Sequence, residues 1–220
     1  MRIAVLVSGS GTNLQAILDA VQSGALRAEV AVVVSNKAGV KALDRAAAAG
    51  VPTVVLSHKS FASREAFDAE VVRELRARGV ELVVLAGFMR IVTATLLDAF
   101  PDRVVNIHPS LLPSFPGVDA QAQALRAGVA IAGCTVHLVD GGMDSGAVLA
   151  QAAVPVLEQD DEEALRHRIL AQEHRLFPAV LQWFVDGHVR VVTDAAGRKS
   201  VQIAGKSRAL FGAVVEGVEG

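Results

Sequence analysis

The sequence predicts an α/β fold: an open, doubly wound, mostly parallel sheet with an antiparallel extension towards the carboxyl end. Three observations carry this. Short β-branched runs alternate with stretches of helical period through the first half of the chain. Such alternation implies parallel strands joined by right-handed crossovers. Runs such as Val32-Val33-Val34 and Leu82-Val83-Val84-Leu85 also lack polar alternation, as strands covered on both faces should.

Taken in order, Ile3 to Val7 reads as the first strand. A helix follows in which Leu14, Ile17, Leu18 and Val21 share a face and Gly24 ends the run. Glu29 to Ser35 is the second strand, Lys41 to Ala49 a helix stopped at Gly50, and Thr53 to Leu56 the third strand. A helix over Ser63 to Arg78 turns Phe67, Val71 and Leu75 inward and stops at Gly79. Glu81 to Ala86 and Val104 to Ile107 are the fourth and fifth strands. After His108 come a Pro/Gly-rich loop (Pro109 to Gly117), a short helix near Gln121 to Ala127, and strands at Ala132 to Val139 and Ala147 to Val156 that form the extension. A long helix from Asp161 to Phe184 aligns Leu165, Ile169, Leu176, Val180 and Phe184, and Pro178 is expected to kink or divide it. A hairpin over Val189 to Ile203 closes the chain, with the last ~15 residues loosely held.

Composition narrows the function. The 220 residues are 52% hydrophobic, enough for one substantial core, and no linker divides them. A net charge of −2 without a basic stripe argues against nucleic acid and anionic membranes, and leaves small molecules as partners. The opening apolar run is broken at Ser8 and Gly9, too soon for a signal peptide or membrane span. The lone Cys134 permits no internal disulfide, which fits a cytoplasmic location, and in its apolar run it reads as a packed core thiol.

Two segments carry chemistry. Ser8-Gly9-Ser10-Gly11-Thr12-Asn13 sets glycines and hydroxyls at the amino end of the first helix, where backbone amides and the helix dipole favour an anion. Leu14 replaces the third glycine of a dinucleotide fingerprint, and no Lys-Ser/Thr follows as in a Walker A loop, so a monophosphate fits better. A tight βα turn capped by Thr12 or Asn13 stays open as the alternative. Asn106 and His108, two apart at the end of the fifth strand, point to one side, and Asp144 in the glycine-rich loop Asp140 to Gly146 is within reach of them. Amide, imidazole and carboxylate suit acyl transfer to an amine, in which an oxyanion forms and a proton must leave. Against this, Asn106 and His108 also read as turn-formers before Pro109, Asp144 as a turn residue, and His137 as a hydrogen-bonded core histidine. Metal binding is disfavoured, since HExxH and CxxC are absent and His167 and His174 merely share a helix face.

The run Asn106-Ile107-His108-Pro109-Ser110-Leu111-Leu112-Pro113 resembles the signature of the folate-dependent formyltransferases. Ser8 to Ile17, Leu85-Ala86-Gly87-Phe88-Met89-Arg90-Ile91 and Gln172-Glu173-His174 resemble the glycinamide ribonucleotide branch of that family. The resemblance covers about residues 1–190 as a formyltransferase domain, with a hairpin and tail, 191–220, in the same single domain. It implies transfer of a formyl group from 10-formyltetrahydrofolate, as co-substrate, to the amine of glycinamide ribonucleotide in purine biosynthesis. The enzyme would be a monomer or homodimer working without metal.

The resemblance also implies roles. Gly11, Thr12 and Asn13 would hold the substrate phosphate through backbone amides, and Glu173 the ribose hydroxyls. Met89, Arg90, Ile91 and Val92 would line the folate pocket, Arg64 would meet the glutamate tail, and Asp140 to Asp144 would close over the pterin. Asn106 and His108 would stabilise the oxyanion, while Asp144 shuttles the proton through a water. Between Ser114 and Ala122 the family usually carries Lys-Tyr-Pro-Gly followed by histidines. This chain has Ser114-Phe115-Pro116-Gly117-Val118-Asp119-Ala120-Gln121, a departure that bears on loop contacts rather than on reaction class. The nearest alternative is a formyltetrahydrofolate deformylase, which shares the catalytic trio but usually carries an amino-terminal regulatory domain. A methionyl-tRNA formyltransferase would need a basic second domain, and a non-catalytic folate binder would leave the trio idle.

Overall fold

The computed structural model describes residues 1–211, so the expectation of a loose tail falls mainly outside the described residues. Strands β1 (Arg2–Val7), β2 (Glu29–Ser35), β3 (Thr53–Val55), β4 (Leu82–Leu85) and β5 (Val104–His108) alternate with α1 (Thr12–Gln22), α2 (Lys41–Ala48), α3 (Arg64–Ala77) and α4 (Ala94–Ala99). Then come α5 (Ala120–Ala127), β6 (Ile131–Leu138), β7 (Val148–Pro155), α6 (Glu162–Val185), the hairpin β8 (Val189–Thr193) and β9 (Lys199–Ile203), and β10 (Ala209–Phe211). One sheet runs β10-β7-β6-β5-β4-β1-β2-β3, and β8 pairs with β9 in a second. Among the described strands of the larger sheet, β6 alone runs against its neighbours, pairing antiparallel with β5 and β7, and β8 and β9 are antiparallel in the smaller one. The expected α/β sheet with its antiparallel extension is therefore present.

The sheet separates two cores, and β1 shows how. Ile3, Val5 and Val7 join the core under α1 and α6, whereas Ala4 and Leu6 join the core under α3. Two buried faces explain why the strand reads as uniformly apolar. Helix starts follow their capping residues: Ser63 accepts from the Ala66 amide at 3.0 Å and Asp161 from the Ala164 amide at 2.7 Å. Pro178 does not divide α6, contrary to expectation. Leu176, Phe177, Val180 and Leu181 are fully buried around it. At ~1.5–3 kcal/mol for each such side chain, their burial outweighs a helix-interior proline cost of ~3 kcal/mol. Helix α4 and strand β10 were not anticipated, each being too short to show a period.

Candidate active site

Strand β5 delivers the central pair. Val104 belongs to the α3/α4 core, so Asn106 and His108, two and four residues on, face that same side of the sheet. Antiparallel pairing sets His137 opposite Asn106 and Thr135 opposite His108. Directly opposed residues share a face, so four polar side chains meet over β5 and β6. On β6, Ala132, Cys134, Val136 and Leu138 fill the opposite core. This alternation was the available sign that His137 does not face a core made only of apolar groups.

The hydrogen bonds fix several orientations. His137 is 2% exposed, its Nδ1 lies 2.8 Å from the Leu138 carbonyl, and its Nε2 lies 3.1 Å from Asn106 Nδ2. Nδ1 must donate to the carbonyl, so neutral Nε2 accepts from Asn106. Burial favours that state by pushing the imidazole pKa below its ordinary value, against the opposing pull of the Leu138 carbonyl and Asp144. His137 is thus the satisfied core histidine that the sequence suggested, and also the group that orients Asn106, leaving one amide proton free. Asp144 joins the cluster as expected: its Oδ2 lies 3.4 Å from His108 Nδ1 and its Oδ1 3.8 Å from His137 Nε2.

Two loops cover this face in place of a helix. The His108 Nε2 lies 2.9 Å from the Phe115 carbonyl, and the Gly117 amide donates to Asp144 Oδ2 at 2.8 Å. Thr135 Oγ1 donates to the Ser110 carbonyl at 2.6 Å and accepts from the Leu112 amide at 3.0 Å. A Cβ on Gly133 would lie 2.0 Å from the Ala152 carbonyl oxygen of β7 and 2.8 Å from the Leu111 side chain, so only glycine fits between that strand and the loop. Phe115, Asp119 and Asp144 all take positive φ, near 54°, 55° and 51°.

A cavity of about 100 Å³ opens beside Asn106, walled by Leu85, Phe88 and Arg90 to Val92 on one side and by Val139, Asp140 and Gly142 to Asp144 on the other. Arg90, Ile91, Val92, Asp140 and Asp144 line it. Met89 is 71% exposed and Arg64 is exposed at the first residue of α3, neither in the lining. Arg90 stacks its guanidinium 4.6 Å from the Phe67 ring centre, and the neighbouring Asp68 accepts from both the amide and the hydroxyl of Thr93. A second cavity, about 430 Å³, lies behind the Asp140 loop against the hairpin, where Lys199 pairs with Asp102. It contains none of Asn106, His108 and Asp144.

The glycine loop begins α1 with Gly11 as N-cap at φ 71°, and no side chain caps the helix. The alternative of a turn capped by Thr12 or Asn13 does not hold, because Asn13 turns inward and donates to Glu173 Oε2 at 2.7 Å. Glu173 is 4% exposed, and burial raises its carboxyl pKa, partly opposed by that bond. A Cβ on Gly11 would sit 2.6 Å from Ala42 Cβ. The Gly9 carbonyl accepts from the Ala42 amide and the Ser10 carbonyl from Arg45 Nε, so α2 holds the loop from behind. Cys134 is fully buried, as a core thiol should be, and burial raises its pKa far above normal. Among the described residues, no three His, Cys, Asp or Glu side chains converge on a metal position, and no helix is long and apolar enough to cross a membrane.

Comparison with known proteins shows the family and the fold. The formyl transferase family model matches residues 1–181. The chain is 43% identical to the phosphoribosylglycinamide formyltransferase of Escherichia coli (strain K12), covering 89% of this chain and 92% of that one. It is 53% identical to the trifunctional purine biosynthetic protein adenosine-3 of Drosophila melanogaster over 90% of its own length, but spans about 15% of that relative. The crystal structure of glycinamide ribonucleotide transformylase 1 from Symbiobacterium toebii superimposes with a TM-score of 0.88 at 52% identity, covering 92% of this chain and 93% of that one.

Proposed function

The chain belongs to the formyl transferase family, and from that premise we propose that it transfers the formyl group of 10-formyltetrahydrofolate to the primary amine of glycinamide ribonucleotide. The observation that carries the reading is the convergence of Asn106, His108 and Asp144 beside a cavity walled by Leu85, Phe88 and Arg90 to Val92 and by Val139, Asp140 and Gly142 to Asp144. The substrate phosphate sits on the uncapped first turn of α1, held by the amides of Gly11, Thr12 and Asn13. Glu173, whose Oε2 is occupied by Asn13, turns its other oxygen to the ribose hydroxyls. The donor's pterin lies along Arg90 to Val92 under the Asp140 loop, and Met89 and Arg64 border its outer part.

The reaction then follows from the donors and the carboxylate. The amine nitrogen attacks the formyl carbon and the carbonyl electrons move onto oxygen. The free amide proton of Asn106 stabilises that oxyanion together with the His108 Nε2–H, which leaves the Phe115 carbonyl for the oxyanion when substrate binds. Asp144, acting through a water, takes the proton from the attacking nitrogen and returns it to the folate nitrogen as the carbon–nitrogen bond breaks. Tetrahydrofolate and the formylated ribonucleotide leave. Each bonding change is met by a residue of this chain, with no metal required. We take the enzyme to be cytoplasmic, a monomer or homodimer, with residues 1–190 forming its formyltransferase domain and 191–220 part of the same single domain.

Formyl transfer from 10-formyl-5,8-dideazafolate, followed by absorbance with and without glycinamide ribonucleotide, tests the reading. Turnover strictly dependent on the amine is the expected result. Release of the deformylated folate without amine would instead make the chain a deformylase, and absence of turnover would make it a binder.

A further inference from the structure

The two loops assigned to the two substrates are joined through one residue, by its amide and by its side chain. Ser8, the residue after β1, donates its amide to the Gly87 carbonyl at 3.1 Å. Its hydroxyl accepts from the Met89 amide at 2.9 Å and donates to Asn36 Oδ1 at 2.6 Å. Ser8 is 5% exposed and Asn36 3%, so water does not compete for these groups. A hydroxyl has one proton; with that proton committed to Asn36, a lone pair is left aimed at Met89. Asn36 follows β2, Ser8 opens the glycine loop and Met89 immediately precedes the cavity-lining run Arg90 to Val92, so three loops at one end of the parallel strands meet at one oxygen.

The surroundings restrict how this joint can move. Behind Ser8 the glycine loop is pinned to α2 through the Gly9 and Ser10 carbonyls, and Gly11 packs so closely on Ala42 that a Cβ would not fit between them. Movement of the Met89 to Val92 segment therefore loads the Ser8 hydroxyl directly, and movement of the glycine loop reaches that segment by the same bond. We propose that Ser8, oriented by Asn36, is a positioning residue that couples the two substrate subsites, so that occupation of one tightens the other. This rests on the assignment of the two loops made above.

Binding measures the coupling without chemistry. The Kd of 10-formyl-5,8-dideazafolate is determined by fluorescence with and without saturating ribose 5-phosphate, which has the phosphate and ribose but no amine. In the wild type, the phosphate ligand should tighten folate binding about 5-fold or more, and the folate should tighten ribose 5-phosphate by the same factor. Ser8→Ala should bring the ratio close to 1 while the chain remains folded by circular dichroism. Asn36→Ala, which keeps the hydroxyl but frees it to rotate, should bring about an intermediate loss and serves if Ser8→Ala does not fold. A wild-type ratio of 1, or full retention of the ratio in both variants, overturns the inference while leaving amine-dependent turnover untouched. Failure of the wild type to bind either ligand overturns the functional reading and the coupling together.

Discussion

The glycine loop and the two loops over β5 and β6 are built on opposite plans. Residues 8–13 are held by main-chain bonds, a glycine that fits against Ala42, and partners on α2 and α6. The Pro109 to Asp119 and Asp140 to Gly146 loops are held by Thr135, Gln151, Gln123 and Asp140, and also by the reacting residues themselves: His108 meets the Phe115 carbonyl and Asp144 accepts the Gly117 amide. The first is a preformed seat for a group that does not change during reaction. In the second, loop conformation and catalytic geometry are one arrangement, so a change in either alters both.

This contrast orders the predictions. His108→Ala should have the largest effect, cutting kcat by ~10² to 10³ with donor affinity largely kept, as for loss of an oxyanion donor. Steady-state kinetics checks it; near-normal turnover would remove His108 from the chemistry and leave it a loop anchor. Gly11→Ala should come next, since it combines positive φ with a Cβ clash. The expected cost is ~1–3 kcal/mol of stability, with a selective rise in KM for the phosphorylated substrate. Equal rises in both KM values would dissolve the distinction between the loops.

The seat itself is expected to trade stability for function at Glu173. Burial raises its carboxyl pKa, so between the unfolded value near 4.3 and the raised folded value the native state holds more protons than the unfolded chain. Its folding contribution thus worsens as pH climbs through that window. Glu173→Gln should raise Tm at pH 8 by ~2–4 °C, about 1 kcal/mol, with the gain shrinking towards pH 5. Thermal melts across pH decide this, and a pH-independent shift would mean that the carboxyl does not titrate there. Smallest is Asp119→Gly, which relieves a positive φ and, after the entropy cost of the glycine, should add ~0.5 kcal/mol of stability with little change in kcat, checked by denaturant unfolding.

What the sequence disclosed followed from local rules. Helix starts at Ser63 and Asp161, stops at Gly24 and Gly79, and the uniformly apolar β4 each state their structure within a few residues. The pairing of His137 with Asn106 depends on register across β5 and β6, 31 positions apart, and is invisible in either segment alone. Pro178 misled for a related reason, because its helix is stabilised by distant packing that a proline rule does not count. The chain also opened a possibility that its motifs did not suggest, since the Ser8 hydroxyl links segments 81 residues apart.

Cys134 is the chain's only cysteine and is sealed within the core, with burial opposing formation of its reactive thiolate. The protein surface therefore offers no native site to thiol-directed probes. A cysteine introduced at exposed Val118 or Met143 would be the sole reactive handle, and a dye placed there would report the approach of the two covering loops without first stripping the protein of its own sulfur chemistry.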